Sequence, residues 1–368
     1  MTLTVSRASS DSAKRRMPPT KSFSLIRWLK SRFFSDVFSG IGTLFVIWGV
    51  FFTIPKLFLW GVSESVWIFG TAEECHTAAG ACWAVIGEKY RVMLFGTFPY
   101  EEHWRGLAVI IIIVSVTVVS FVWKTAPLRL VSIWILGILS VLVLMLGGIF
   151  GLKVIETHEW SGLPLTLLMF YFTLAFGTPI GYLLALGRKS NMPVIRGICV
   201  GFIEVTRGLP LVTVLFMASL MIPLLLPGGV TIDKFLRATI AMTLFYSAYV
   251  AEIVRGGLQA IDRGQYEAAD ALALQYWQKM FFVVLPQVSR IIIPSLMNEV
   301  IRAFKNTTFV GIIGLFDILK ATSSALQDPV WVQFSIEAYL FIVFLYFVFC
   351  FSMSQYSLYV EKRLTIKK

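Results

Sequence analysis

The sequence predicts an all-α polytopic membrane protein of about eight transmembrane helices, and three observations lead there. The chain has 368 residues, of which 57% are hydrophobic and only 14% charged, and its mean hydropathy is +0.78. A water-soluble domain of this length cannot bury so much apolar surface, because surface falls too slowly with size. Runs such as GLAVIIIIVSVTVVSFVW (Gly106–Trp123) reach the length of a lipid-spanning helix. The third observation is where the +11 net charge sits. Arg7, Lys14, Arg15, Arg16, Lys21, Arg27, Lys30 and Arg32 precede the first apolar run, and Lys362, Arg363, Lys367 and Lys368 follow the last. Basic flanks around apolar runs are the signature of cytoplasmic termini. No base-reading fold accompanies them, so nucleic acid is not an expected partner.

Taken in order, residues 1–40 are a basic cytoplasmic segment, too long and too late in reaching its apolar run to read as a cleavable leader. Spans are expected at Ile41–Trp60, Arg105–Trp123, Leu130–Leu152, Leu163–Leu186, Pro210–Leu226, Ala238–Val254, Ser289–Leu315 and Val332–Ser357. An even number agrees with two termini on one side. The loops KTAPLR (Lys124–Arg129) and GRKSNMPVIRG (Gly187–Gly197) are basic and fall inside. The loop 61–104 carries Glu64, Glu73, Glu74, Glu88, Glu101 and Glu102 against Lys89 and Arg91, which suits the outer face. Residues 41–155 thus hold three spans and an outer loop, residues 156–358 hold five spans with polar motifs between them, and 359–368 form a basic tail.

One segment between the last spans is helix-forming and mixed in charge: GQYEAADALALQYWQKMFFVVLPQ, residues 264–287. Ala268, Ala269, Ala271 and Ala273 leave little bulk above the backbone, while Glu267 and Asp270 place charge at the rim. A turn is expected after Leu274, then a short amphipathic helix Tyr276–Val284 stopped by Leu285-Pro286, because proline disfavours helical geometry in the residue before it. On pattern alone the segment could be a helix lying on lipid headgroups. The preceding loop assignments place it in the cytoplasm.

EAADALAL followed nine residues later by VLPQ resembles the cytoplasmic coupling signature of permease subunits of type I ATP-binding-cassette (ABC) importers. WSGLPLTLL (Trp160–Leu168), FIEVTRGLPL (Phe202–Leu211), FYSAYVAEIVRGGLQAI (Phe245–Ile261) and LMNEVIRAFKNTTFVGIIGL (Leu296–Leu315) resemble successive blocks of the polar amino-acid permeases, together covering roughly residues 160–358. CWAVIGEKYRVMLFGTFPYEEHW (Cys82–Trp104), with the added leading spans, resembles the longer permease of general L-amino-acid transporters. The resemblance implies a five-helix permease core in a bacterial inner membrane. It implies partnership with a second homologous permease, two ATPase subunits and a periplasmic amino-acid-binding protein. Glu267, Ala268, Ala269, Asp270, Ala273, Leu285 and Pro286 would form the hairpin that docks on an ATPase. The family usually has glycine where this chain has Ala273, so a wider turn is expected here.

No cofactor is expected on this chain, ATP and magnesium belonging to the ATPase partners. GYLLALGRKS (Gly181–Ser190) has the wrong spacing for a phosphate loop and leaves a membrane span rather than a strand. His76, His103 and His158 are scattered in outer loops and make no metal set.

Charges inside a span are costly and point to function. Glu299 lies nine residues beyond Arg290 at the cytoplasmic border, about 14 Å deep in a core about 30 Å thick. A carboxylate there could meet the ammonium group of an amino acid, with Asn298 and Thr307 adding hydrogen bonds and Tyr246 lining the pathway. Glu299 and Arg302 are also spaced to pair with one another on one helix face. Glu204, Arg207, Glu252 and Arg255 lie nearer the cytoplasmic ends and are expected to brace the coupling region. Cys75 and Cys82 in the outer loop are disulfide candidates, two free thiols being the alternative. A secondary transporter driven by an ion gradient is the rival reading, but such proteins tend to carry inverted repeats, and the three-plus-five division shows none.

Overall fold

The computed structural model describes residues 32–122, 127–227 and 232–364. The basic residues from Arg7 to Lys30, Lys124, and Lys367 and Lys368 lie outside the described residues. The chain divides into two compact units at residue 65.

In the first unit, α1 (Val37–Phe58) is capped by Asp36, whose carboxylate accepts from the Ser39 amide at 2.9 Å. It runs on through a π-helical turn, Leu59–Ser63, and none of its residues is buried. A helix apolar on every side is at home in hydrocarbon rather than water.

The second unit opens with two short helices, α2 (Ala72–Thr77) and α3 (Ala84–Phe95). Thr71 and Glu74 form a reciprocal capping box that fixes the start of α2. Cys75 and Cys82 are joined as a disulfide, their Cα atoms 5.4 Å apart. Next come α4 (His103–Val122) and α5 (Pro127–Leu146). Fully buried Arg105 donates from Nε to the Leu144 carbonyl at 2.6 Å and from Nη1 to the Lys153 carbonyl at 2.9 Å, so the start of α4 caps the end of α5. His103, expected in a solvated loop, is instead buried as the first residue of α4, stacked on Phe95 and bonded to the Phe98 carbonyl.

The core is built on α6 (Gly162–Arg188) and α10 (Lys234–Gln259). Between them the chain forms α7 (Pro193–Gly208), α8 (Leu211–Phe216), a π-helical turn Met217–Met221, and α9 (Ile222–Leu225). After α10 come α11 (Arg263–Ala271), α12 (Tyr276–Lys279) and α13 (Leu285–Asn306). A two-residue strand β1 (Phe316–Asp317), α14 (Ile318–Ala325) and α15 (Ser335–Leu364) complete the chain. α6 and α10 meet closely because glycine opens notches on α6. A Cβ on Gly177 would lie 2.6 Å from the Tyr246 ring, and one on Gly181 would lie 2.6 Å from Val250. Glycines four apart let helix backbones approach in a membrane, where packing rather than water expulsion drives association.

Among the described residues, six helical segments are long and apolar enough to cross a membrane: α1 with its extension, α4, α5, α6, the run from α12 through α13, and α15. A seventh is the pair formed by α7 and the stretch Leu211–Leu225, bent by 108° at Leu209-Pro210. The stretch expected as a span, Pro210–Leu226, is helical from Leu211 to Leu225, and the bend falls at its start, where Pro210 separates it from α7. α10 is 26 residues long, about 39 Å. It is absent from the apolar set because hydroxyls and charges lower its hydropathy; of these, Thr239, Thr243 and Ser247 are buried against protein.

On the side where α6 begins, the segment containing α2 and α3 packs over the core. The Cys82 amide donates to the buried Glu337 carboxylate of α15 at 3.1 Å, and Lys89 of α3 pairs with Asp328 at 2.7 Å. Gly162 takes φ +68° with the Leu94 carbonyl against it, a place where no side chain fits.

Candidate functional site

Two arrangements along α10–α13 carry the chemistry. The first is the hairpin of α11 and α12. Asp262 caps α11, accepting from the Gly264 amide at 2.7 Å. The turn is the tight left-handed one rather than the wider turn expected of alanine: Ala273 adopts φ +54°. The Leu274 amide reaches back to the Ala269 carbonyl at 3.2 Å and the Ala273 amide to the Asp270 carbonyl at 2.9 Å, so the helix end is satisfied as it would be with glycine. Gln275 and Gln278 box the start of α12. Glu267, Ala268 and Asp270 are exposed, whereas Ala269 is buried, so the small-residue face is shared between the hairpin's own packing and solvent. Asp270 is paired with Lys279 across the hairpin.

Pro286 does not end a helix. It sits in the first turn of α13, where its missing N–H leaves no bond unmade, and a π-helical turn Met280–Val284 joins α12 to α13. The second arm of the hairpin and the spanning helix are therefore one continuous helical run. Leu285 is half-buried at this junction.

The second arrangement is a pocket among α6, α8, α10 and α13. Thr173, Leu211, Met242, Phe245, Tyr246, Glu299, Ala303 and Asn306 line it. Glu299 is only 5% exposed and is paired with Arg302, so the spacing-based ion pair is present. The Arg302 guanidinium in turn lies 4.1 Å over the Tyr249 ring. The Tyr246 hydroxyl meets Thr178 at 3.4 Å. Thr173 Oγ1 is buried and has no hydrogen-bond partner. An unpaired buried hydroxyl facing a carboxylate-lined pocket is an available contact for a polar ligand. The pocket has about 220 Å³ of free space, but water can occupy only about 10 Å³ of it, roughly one molecule. The site is closed.

Of the residues singled out by sequence, Glu299 and Tyr246 come together in this pocket. Asn298 faces away and is exposed, and Thr307 is buried with its hydroxyl bonded to the Phe304 carbonyl of its own helix. Thr173 and Asn306 take the places expected of them. Asn306 falls in a block already quoted, but Thr173 has no sequence signal beyond being a hydroxyl in an apolar run.

Near the hairpin end of the bundle, Glu252 of α10 gathers three arginines: Arg188 of α6 at 2.8 Å, Arg207 of α7 at 3.1 Å and Arg255 at 3.0 Å. Glu204 joins through Arg188 at 3.0 Å. The expected bracing residues thus form one network tying α6, α7 and α10.

Residues 177–366 match the family model described as binding-protein-dependent transport system inner membrane component. The inner membrane amino-acid ABC transporter permease protein YhdY of Escherichia coli K12 is 45% identical over 91% of this chain and 92% of its own length. The glutamate/glutamine/aspartate/asparagine transport system permease protein BztC of Rhodobacter capsulatus is 33% identical over 95% of this chain and 96% of its own. Among solved structures, an amino acid ABC transporter crystallised with histidines is 31% identical over 54% of this chain and 90% of that one, with a TM-score of 0.48.

Proposed function

The chain belongs to the binding-protein-dependent transport system inner membrane components, as an amino-acid ABC transporter permease subunit, and on that premise we propose that it moves polar L-amino acids inward by converting a push on its hairpin into motion around Glu299. The observation that carries this reading is the unbroken helical run from α12 into α13, with the hairpin at one end and the Glu299 pocket along its length. Glu267, Ala268 and Asp270 dock on a separate ATPase subunit in the cytoplasm. A second permease completes the membrane pair, and a periplasmic binding protein delivers substrate to the opposite face. ATP and magnesium are held by the ATPases. Both termini are cytoplasmic and the membrane is the bacterial inner one.

In the pocket, Glu299 takes the substrate ammonium group and Thr173, Asn306 and Tyr246 orient it, while Arg302, exposed beside the pocket, offers a partner to the substrate carboxylate. An amino acid exchanges one internal ion pair for two external ones, so the buried Glu299 carboxylate is not stranded. A polar substrate range is favoured by the 33%-identical relative, which is named for glutamate, glutamine, aspartate and asparagine.

The test is uptake of labelled glutamine and glutamate in cells depleted of ATP while the proton gradient is kept. Uptake should stop. Continued uptake would show that the driving force is the ion gradient and that the hairpin is not a coupling element.

A further inference from the structure

Beside the hairpin, the corner between α6 and α7 forms an open cleft of about 660 Å³ that the transport reading leaves unused. Arg188, Lys189, Ser190, Asn191 and Arg196 line it. Arg188 is committed to Glu204 and Glu252. Among the described residues, Lys189 meets only the Tyr266 side chain, over the ring at 4.6 Å and bonded to its hydroxyl at 3.2 Å. Arg196 is exposed and, among the described residues, forms no ion pair with a carboxylate. The cleft therefore holds two uncompensated cations. It opens at the first turn of α7, whose leading amides have no partner inside the helix. From the same edge two large apolar side chains, Val194 and Ile198, stand 71% and 67% exposed along α7.

We propose that this cleft binds the phosphate headgroup of an acidic phospholipid in the leaflet on the hairpin's side, with an acyl chain lying along Val194 and Ile198. Charge complementarity selects an anion, and basic pockets between helix ends are suited to acidic headgroups. The adjoining apolar strip selects an anion carrying a hydrocarbon tail, which free phosphate lacks. Lys189 contacts Tyr266 of α11, so a bound headgroup draws on the same ammonium that steadies the hairpin. The proposal is independent of which substrate the pocket at Glu299 takes.

Binding can be read by native mass spectrometry of the full-length chain in detergent, titrated with short-chain phosphatidylglycerol. The comparison is the unaltered chain, the double variant Lys189→Gln/Arg196→Gln, and Lys153→Gln, a cation that precedes the opposite end of α6. The double variant should bind roughly 25-fold more weakly, as expected for two lost surface cations, while Lys153→Gln binds as the unaltered chain does. Size-exclusion profiles establish that the exposed substitutions leave the fold intact. Equal binding by the double variant overturns the proposal. So does displacement of the lipid by millimolar inorganic phosphate, which would mark a soluble-anion site. In the reassembled complex, Arg196→Cys carrying a photocrosslinker should capture lipid, and capture of an ATPase subunit there would make the cleft a protein interface and end the lipid reading.

Discussion

Ala273 holds a left-handed backbone conformation that costs an alanine about 1 kcal/mol relative to glycine. Ala273→Gly should therefore slow hydrogen exchange across residues 264–287 by about fivefold, with little change in uptake. Unchanged exchange would mean the turn is not strained. Glu299→Gln should abolish uptake while leaving assembly with partner subunits intact, and preserved uptake would remove the carboxylate from the pathway. Asp317 adds a pH-sensitive position outside the spanning segments. It is fully buried, and desolvation pushes its carboxyl up to about 6, outweighing the Lys320 and Leu319 amides that cap onto it. The folded state thus keeps this proton to about pH 6, while the unfolded chain releases it near the ordinary value of 3.8. Its contribution to stability is full below about pH 4 and is lost as pH rises through 6. Melting temperatures of Asp317→Asn should lack that part of the pH slope, and identical slopes would refute it. At this scale the sequence exposed Glu299 because a charge in an apolar run is conspicuous. Thr173 was not legible, because its place depends on how α6 crosses α10 and α13. Asn298 was misassigned because one position along a helix turns the side chain by about 100°.

Among elements, the α6–α10 contact depends on the notches at Gly177 and Gly181. Gly181→Leu should lower stability by 1–3 kcal/mol or more through overpacking, seen as a lower melting temperature in detergent. Gly201, with open space above its Cα, should tolerate leucine. If both variants melt alike, the notch is not the determinant. Opening the Cys75–Cys82 disulfide by serine substitution should loosen the α2–α3 segment by about 2–3 kcal/mol, detected as new protease cuts between residues 66 and 96. Apolar length made α4, α5, α6 and α15 readable in the sequence. The break at Leu209-Pro210 and the uninterrupted junction at Pro286 were not, because a proline reads as a stop unless its position in a helix turn is known. α10 was expected as a span at Ala238–Val254 and is helical throughout that range; burial in protein lets it carry hydroxyls and charges that a lipid-facing helix would exclude.

For the whole molecule, the proposed cytoplasmic placement of the hairpin makes a labelling prediction. With Cys199 and Cys350 removed, Gln275→Cys should react with a membrane-impermeant thiol reagent from the cytoplasmic side alone. Reaction from outside would reverse the topology. The continuous run from α12 into α13 has a further consequence. α13 bears on α10 at Gly257, where a Cβ would lie 2.4 Å from Ile292 and 2.8 Å from Val288. That bare spot is a natural fulcrum. Met280 and Glu299 lie ten and nine residues from its midpoint near Arg290, about 15 Å and 14 Å away on opposite sides. The two arms are nearly equal, but they are not alike: the elbow's arm begins in a π-helical turn, and the carboxylate's arm carries Pro294, whose missing N–H leaves a joint between the fulcrum and Glu299.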